Sequence, residues 1–224
     1  MMEYSIVIEN YLKAIFTLSK SNENGATTKS LGILLGTKPP TVSDMLKKLD
    51  AEKLINYSPY KSISLTEKGE KIAVKIIRKH RLWETFLVEK LDFTWDEVHD
   101  IAEQLEHIKS PKLVNSLDKF LGYPKFDPHG DPIPNEDGIF EKEYETTLDQ
   151  IKANSEVELM GVKDHSVKFL KYLDNISMTP GVKIKVLDVN EYDKSVVLII
   201  NSKQQTISNQ VCKNLIVKRF PYRP

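Results

Sequence analysis

The sequence predicts a mainly α protein with a smaller share of β structure, built as three successive regions. Short amphipathic helices and a strand hairpin occupy the first region, longer amphipathic helices the second, and β-rich runs the third. The chain of 224 residues is long enough for more than one domain. We therefore expect an N-terminal winged helix-turn-helix, a helical middle region and a small C-terminal β-barrel.

The first region has the pattern of a helix-turn-helix. Residues 4–19 repeat apolar side chains at helical spacing and predict a first helix that ends near Asn24. A second helix is expected between Thr27 or Thr28, as a cap, and Gly36, and a third begins at Pro39. Two helices joined by a short turn that contains glycine are typical of a helix-turn-helix.

A hairpin is predicted after the third helix. The run LINYSPYKSISLTEKG alternates polar and apolar residues on either side of Ser58-Pro59, which indicates two short antiparallel strands. A helix-turn-helix followed by such a hairpin makes a winged helix. A small helical bundle that carries a hairpin uses the same parts and is the alternative at this point.

The middle region predicts three longer helices and a loop. The helices cover residues 69–91, 95–108 and 110–121, where apolar side chains keep helical spacing. Residues 122–139 contain four prolines, which exclude regular structure, so this stretch is an ordered loop or a linker.

The last region predicts a compact β module. The runs VELMGV, KIKVLDV, VVLIIN and NLIVK are short and β-rich, with one helix near residues 166–175 and a turn at Pro180-Gly181. Short strands separated by turns predict a small β-barrel of about 70 residues.

Composition excludes several classes of protein. The single cysteine, Cys212, rules out an intramolecular disulfide, which favours a reducing compartment. The longest apolar run is far shorter than the ~20 residues of a membrane span, and acids stand where a signal peptide has basic residues. We expect a cytoplasmic protein without a membrane segment.

The formal net charge of zero conceals segregation of charge along the chain. Residues 1–90 carry 15 Lys and Arg against 10 Asp and Glu, residues 91–160 carry 6 against 17, and residues 161–224 carry 11 against 5. This asymmetry predicts that the first region binds an anionic polymer and that the acidic middle region binds cations or a partner.

Histidines and acids recur at helical spacing in the middle region. His80 and Glu84 are four residues apart, and the next predicted helix places four more groups on one stripe: His99, Glu103, Glu106 and His107. Such groups among apolar residues are costly unless a cation neutralises them, so we predict a metal site. The loop sequence FDPHGDPIP offers a second candidate cluster: Asp127, His129 and Asp131.

The stretch RKHRLWETFLVEKLDFTWDEVHDIAEQLEH, followed by LDKFLGYPKFDPHGDPIP, resembles the diphtheria toxin repressor family of metal-dependent transcriptional regulators. The similarity is to the manganese-responsive branch with a C-terminal FeoA-like, SH3-like domain. It implies a homodimer that binds a palindromic operator when metal-loaded and represses metal-uptake genes. It also implies three domains: a winged helix-turn-helix over 1–72, a helical metal-binding and dimerisation domain over 73–140, and a FeoA/SH3-like domain over 141–224.

The resemblance implies two sets of metal ligands. One set matches family positions in the middle region: His80, Glu103, Glu106 and His107. Asn10 stands at the ligand position of the first helix, where relatives have methionine or aspartate, and Lys13 replaces a carboxylate of some manganese-type members. Glu84 and His99 match an ancillary site of iron-responsive members. In the branch with this loop, the second set comprises Glu84, Asp127, His129 and Asp164.

The ligand types favour one metal. Glu103 stands where iron-type members have cysteine, so carboxylates and imidazoles remain without sulfur. Oxygen-rich sets favour Mn²⁺ among the transition metals. We predict Mn²⁺, with Fe²⁺ as the alternative and Zn²⁺ or Co²⁺ as ions that bind in vitro; no organic cofactor is expected.

The third helix is predicted to enter the major groove of double-stranded operator DNA. The predicted contact residues are Lys38, Pro40, Thr41, Ser43, Asp44, Lys47, Lys48 and Lys61. Metal is expected to fix the spacing of two recognition helices in the homodimer near one DNA turn, about 34 Å.

Two other functions remain open from the sequence. A two-metal hydrolase would also cluster His, Asp and Glu, but no residue pattern marks a nucleophile or a phosphate-binding glycine loop, so no enzyme is predicted. A winged-helix sensor of an organic ligand would leave the acidic helices purely structural.

Overall fold

The fold is that of a computed structural model, which describes residues 4–21, 25–58 and 61–220. The chain divides into two compact units. The first unit consists of the chain up to His80, Glu103–Asn115 and Pro134–Ile139. The second unit consists of Arg81–Ala102, Ser116–Ile133 and the chain from Phe140 onward.

The first region is a winged helix-turn-helix, as predicted. Its elements are α1 (Ile6–Ser21), α2 (Thr28–Leu34), α3 (Pro39–Ala51), β1 (Ile55–Asn56) and β2 (Ser64–Leu65). The two strands pair antiparallel, with Ile55 opposite Leu65. Asn24 and Pro59, predicted at a helix end and in the hairpin turn, lie outside the described residues.

Local chemistry explains the helix-turn-helix. Thr27 and Ser30 form a capping box, in which each side chain accepts a hydrogen bond from the backbone N–H of the other, and this fixes the start of α2. Gly36 has φ of 60° in the turn before α3, a left-handed conformation that glycine adopts without strain. The core below the three helices consists of fully buried side chains: Leu12, Ile15, Leu31, Val42, Leu46 and Leu49.

The middle region contains α4 (Glu67–Leu91), α5 (His99–Leu105) and α6 (Pro111–Phe120). The predicted helix over 95–108 is shortened at both ends. Before it, Thr94 and Glu97 close a turn through a backbone bond and a side-chain bond, and after it the Ile108 N–H donates to the Leu105 carbonyl. Glu106 and His107 therefore lie in a turn after α5.

The proline-rich loop is ordered but irregular. No helix or strand is assigned within residues 122–139, as the prolines predict. Two backbone bonds close it, from the Asp127 N–H to the Asp131 carbonyl and from the Ile133 N–H to the Lys125 carbonyl. Among the residues with a described structure, no helix is long and apolar enough to cross a membrane.

The C-terminal module is a five-stranded antiparallel sheet with two short helices. Its elements are a 3₁₀ turn (Leu148–Gln150), β3 (Ser155–Val162), α7 (Val167–Asn175), β4 (Lys183–Val189), β5 (Val196–Ile200), β6 (Lys203–Ile207), α8 (Asn209–Cys212) and β7 (Leu215–Arg219). The strand order is β6-β5-β4-β3-β7. The predicted β module is confirmed, but its edge strand β6 was missed because KQQTI buries only Ile207 and has no apolar alternation.

Candidate functional site

In the first unit, six ionisable side chains form a cluster whose centre is the buried carboxylate of Glu106. We call them the α1 cluster: Glu9, Lys13, His80, Glu103, Glu106 and His107. The Glu106 side chain is 1% exposed, and its Oε2 atom accepts hydrogen bonds from His80 Nδ1 at 2.5 Å and from Lys13 Nζ at 2.6 Å. The cluster thus joins α1, α4 and the turn after α5.

The rest of the α1 cluster surrounds this centre. His107 lies 3.8 Å from the other Glu106 oxygen, Oε1, and its Nδ1 atom is 2.6 Å from Glu9 Oε2. Glu103 is more exposed, with its Oε1 atom 3.6 Å from Lys13 Nζ. Four predicted ligands, His80, Glu103, Glu106 and His107, are therefore brought together.

Electrostatics keep the central carboxylate ionised. Burial by itself raises the pKa of Glu106, but the hydrogen bond from His80 and the positive charge of Lys13 outweigh it, so the pKa lies below its usual range. A buried carboxylate that is ionised at neutral pH is a ligand for a cation.

Sequence reasoning missed one member of the α1 cluster. Glu9 is 8% exposed, and its spacing of four residues from Lys13 puts both on one face of α1. That spacing was the available signal. Asn10, the predicted ligand of α1, is the next residue and is half-buried.

Three side chains of the second unit form a separate cluster, which we call the loop cluster: Glu84, Asp127 and His129. Each offers a ligand atom, and these atoms all lie within 4.8 Å of one another. All three side chains are buried to 3% exposure or less. The structure therefore brings together three of the four predicted ligands of the second set.

The His129 ring is oriented for binding through Nδ1. Its Nε2 atom donates to the Trp95 carbonyl at 2.8 Å, and its Nδ1 atom faces Glu84 Oε2 at 3.6 Å. Burial lowers the pKa of His129, but the hydrogen bond to Glu84 and the charge of Asp127 raise it to about 9. This shift of the pKa favours the protonated ring, so a metal ion bound at Nδ1 would replace a proton.

Arg81 anchors the loop. Its guanidinium donates to the Pro132 carbonyl and, at 3.0 Å, to the Asp131 carboxylate, and its Nε atom is 3.6 Å from Asp127 Oδ2. Asp131 is thus engaged by arginine, outside the loop cluster. Burial, followed by the charges of Asp131 and Glu84, raises the pKa of Asp127. No sequence motif pointed to Arg81.

Backbone contact fixes the loop on strand β3. Gly130 has φ of 91°, and a Cβ atom at Gly161 would come within 2.6 Å of the His129 carbonyl oxygen. Two glycines are required here because neither backbone leaves room for a side chain. The position of His129 therefore depends on a close glycine contact with the β module.

Two predicted ligands lie at the margin of the loop cluster. His99 is exposed, and its Nδ1 atom is 3.6 Å from Glu84 Oε1. Asp164 accepts a hydrogen bond from the Ser166 N–H at 2.8 Å, which forms a turn before α7. It does not belong to the group of ligand atoms that lie within 4.8 Å of one another. Its neighbour His165 stacks on the His129 ring with centroids 4.9 Å apart.

Both clusters offer donor atoms of the types that a divalent cation binds. Their donor atoms are carboxylate oxygens and imidazole nitrogens, the set that suits Mn²⁺, Fe²⁺ and Zn²⁺. In the α1 cluster the ammonium group of Lys13 already lies among these atoms, where a metal cation would bind. In the loop cluster the two carboxyl groups share one buried site with a single imidazole, so added positive charge would be favourable.

The predicted DNA-binding residues lie at the start and along the length of α3, with Lys61 in the hairpin. Ser43 is half-buried, and the others are exposed: Lys38, Pro40, Thr41, Asp44, Lys47, Lys48 and Lys61. The opposite side of α3 is buried through Val42, Leu46 and Leu49. Helix α3 thus has a free polar face that begins at its N-terminus, as groove binding requires.

Three family models match successive parts of the chain. They are described as iron dependent repressor, N-terminal DNA binding domain (residues 3–63), iron dependent repressor, metal binding and dimerisation domain (residues 66–135), and FeoA domain (residues 146–219).

Individual proteins are similar as well. The iron-dependent repressor IdeR of Mycobacterium tuberculosis (strain ATCC 25618 / H37Rv) is 36% identical over 128 residues, 56% of this chain and 54% of that protein. An uncharacterized HTH-type transcriptional regulator of Methanocaldococcus jannaschii is 40% identical over 114 residues, 51% of this chain and 91% of that protein. The chain spans about half the length of the curated IdeR proteins that it matches.

A solved structure extends the likeness to nearly the whole chain. It is a manganese-dependent transcriptional repressor in complex with manganese, with a TM-score of 0.84 and 30% sequence identity. The match covers 95% of this chain and 100% of that chain.

Proposed function

Because the chain belongs to the diphtheria toxin repressor family of metal-dependent transcriptional regulators, we propose that it is a Mn²⁺-activated repressor that binds operator DNA as a homodimer. The observation that carries the proposal is the α1 cluster. There, side chains of α1 in the winged helix-turn-helix meet His80 of α4 and the Glu106-His107 turn. A cation bound to this cluster would link the DNA-binding helices to the helical middle region.

We assign two groups of ligands. Four residues of the α1 cluster, His80, Glu103, Glu106 and His107, would hold one ion together with Asn10 of α1. The loop cluster would hold a second ion through Glu84, Asp127 and His129, with His99 and Asp164 as the marginal members. Burial of Glu106, Glu84 and Asp127 supports both assignments, since buried acids need a positive partner.

Manganese is the proposed metal. The donor set has no sulfur, which favours Mn²⁺ over softer ions by ligand type. The manganese-bound repressor of similar structure supports this choice. Iron is the second candidate, because the IdeR relatives are iron-dependent and Fe²⁺ accepts the same ligands.

The bound ion would supply two positive charges that carboxylates and imidazoles from different elements can share. Residues of the chain would transmit the effect of metal binding to the DNA-binding region. Glu9 and Lys13 are fixed on α1, which packs against α2 and β2, and α2 in turn packs on α3. Ordering α1 would therefore act through α2 on the helix that carries the recognition surface. By linkage, operator DNA should tighten metal binding by the same factor that metal tightens DNA binding.

The proposal also includes two partners, DNA and a second copy of the chain, and a cytoplasmic location. The matched DNA-binding model and the matched dimerisation model support the first two. The proposed domain boundaries lie near residues 72 and 140. The matched FeoA range, 146–219, lies inside the third proposed domain. The second matched range begins at residue 66, before the proposed boundary at residue 72.

The test is a metal titration of operator affinity. An operator is first selected from a randomised duplex library with Mn²⁺ present, and metal-free protein is then titrated with Mn²⁺, anaerobic Fe²⁺ or Zn²⁺ in gel shifts. We expect Mn²⁺ to tighten operator binding by about 100-fold, within the range of allosteric coupling energies. DNA affinity that a chelator does not change would instead favour a sensor of an organic ligand.

The exposed lysines give a second measurement on the same operator. Lys48→Ala should weaken binding to all duplexes alike and reduce the slope of log affinity against log salt by about 0.9, since one phosphate contact is lost. Lys53→Ala, beyond the C-terminus of α3, is the matched control. An unchanged slope for Lys48→Ala would remove that residue from the proposed DNA contacts.

A further inference from the structure

The ammonium group of Lys13 lies inside the α1 cluster. Its Nζ atom is 2.6 Å from Glu106 Oε2, 3.2 Å from His80 Nδ1 and 3.6 Å from Glu103 Oε1. Three atoms that we assign as metal ligands therefore surround one lysine nitrogen. The Lys13 side chain is only 17% exposed, so the ammonium is largely withdrawn from water.

Lys13 uses electron pairs that a metal ion would need. A carboxylate oxygen has two lone-pair positions, and Glu106 Oε2 already accepts from both His80 and Lys13. A metal bond at that atom requires one of these donors to leave. The His80 Nδ1 atom lies 3.2 Å from the same ammonium, so Lys13 stands where an ion bound by both His80 and Glu106 would lie.

Repulsion adds to this competition. A divalent ion bound by Glu106 and His80 would lie within a few ångströms of Nζ if Lys13 stayed in place, and like charges that close repel strongly in a partly buried site. The two cations are therefore alternatives. A lysine can leave because its charge sits on a flexible four-carbon stem.

We propose that Lys13 is an internal competing cation, which neutralises the metal-free α1 cluster and must be displaced before Mn²⁺ binds there. The inference rests on the proposed function and adds a determinant of metal affinity to it. Lys13 stabilises the metal-free protein by pairing with buried Glu106, and it raises the Mn²⁺ concentration at which the site fills. Ions that bind carboxylates weakly do not displace it.

The first arm of the test is Mn²⁺ binding to the full chain by calorimetry, fitted with two classes of site. The class that is lost in Glu106→Gln belongs to the α1 cluster. Lys13→Met, which keeps the stem and removes the charge, should bind Mn²⁺ at that class about tenfold more tightly, because no charge-assisted hydrogen bond has to be broken. It should also melt at a lower temperature when metal-free.

The matched control is Lys71→Met, which removes the same charge from an exposed pair with Glu67. Its Mn²⁺ affinity should equal that of the unmodified chain. Equal or weaker Mn²⁺ binding in Lys13→Met overturns the proposal.

The second arm uses the unmodified chain, so it does not depend on the folding of a variant. Acetylation of lysines by an N-hydroxysuccinimide ester is followed by mass spectrometry with and without saturating Mn²⁺. Lys13 should react several-fold faster when Mn²⁺ is bound, and Lys71 should react equally fast in both states. Unchanged or slower labelling of Lys13 also overturns the proposal.

The two proposals fail in different ways. If the unmodified chain binds no Mn²⁺, both the proposed function and this inference fall. If it binds Mn²⁺ while Lys13→Met has the same affinity and Lys13 labelling does not change, the inference alone falls.

Discussion

The α1 cluster and the loop cluster contain similar ligands but neutralise them differently. In the α1 cluster, positive charge next to Glu106 comes from Lys13, a flexible side chain from another helix. In the loop cluster it comes from His129, whose pKa is raised, and from the guanidinium of Arg81, which is fixed by bonds to Asp131 and Pro132. In the metal-free protein the α1 cluster is therefore neutralised by a cation that can leave. The loop cluster is already held in place before a metal binds.

This difference predicts separate roles for the two clusters, one in switching DNA affinity and one in the stability of the protein. A cluster that exchanges an internal cation for a metal changes its contacts on binding, and α1 belongs to the DNA-binding region. A cluster held by a rigid loop and an arginine changes little and would mainly stabilise the second unit. We therefore expect the α1 cluster to control operator affinity and the loop cluster to control stability.

The largest effect should come from Glu106→Gln. It removes the central ligand of the α1 cluster and should lower metal-dependent operator affinity by about 100-fold or more, whereas Glu84→Gln in the loop cluster should cost no more than about tenfold. Gel-shift titration with Mn²⁺ measures both. Glu67→Gln, at an exposed acid, is the control, and circular dichroism checks folding. Equal losses for Glu106→Gln and Glu84→Gln would contradict the division of roles.

A smaller effect should follow from Gly161→Ala, which changes no ligand. The added Cβ would meet the His129 carbonyl at 2.6 Å and the Gly130 Cα at 2.8 Å, so the loop must shift. We expect about tenfold weaker Mn²⁺ binding at the loop cluster and a loss of about 1–3 kcal/mol in unfolding free energy. Calorimetry and urea unfolding measure the two.

Gly36→Ala serves as control for Gly161→Ala. It carries backbone strain at φ of 60°, but nothing lies within 4 Å of the added Cβ. It should therefore lose stability without changing Mn²⁺ binding at the loop cluster. Mn²⁺ binding that is unaltered in Gly161→Ala would show that the glycine contact does not position His129.

The smallest effect concerns pH. The pKa of His129 is raised to about 9, so its stabilising contribution is complete below the unfolded value of about 6.5 and is lost as pH rises through about 9. Metal-free protein should lose unfolding free energy as pH rises between these limits. His129→Gln should show a flatter dependence in urea unfolding from pH 6.5 to 9.5. Parallel curves would mean that His129 does not retain its proton.

Much of the fold followed from local patterns. The helix-turn-helix, the hairpin and the irregular loop were predicted because caps, glycines, prolines and apolar spacing act on neighbouring residues. Two predictions failed where that spacing was misleading or absent: the helix over 95–108 is shorter, and β6 has too few apolar residues to show alternation. In both cases distant packing or a local turn overrode the pattern.

The candidate ligands were largely visible in the sequence, but their partners were not. His80, Glu103, Glu106 and His107 were found by residue type and spacing. Glu9 was missed because an acid on an amphipathic helix is most often solvated, and Arg81 because a lone arginine carries no motif.

The sequence by itself determined which chemical groups the protein offers and on which helices they stand, because residue type and helical spacing are local properties. Tertiary structure decided which groups meet: Lys13 and Glu106 are 93 residues apart in the chain, and Glu9 and His107 are 98 apart. Contacts over such separations depend on how whole helices pack. The resemblance placed Lys13 at a ligand position, but its contacts with Glu106 and His80 could be known only from the folded chain.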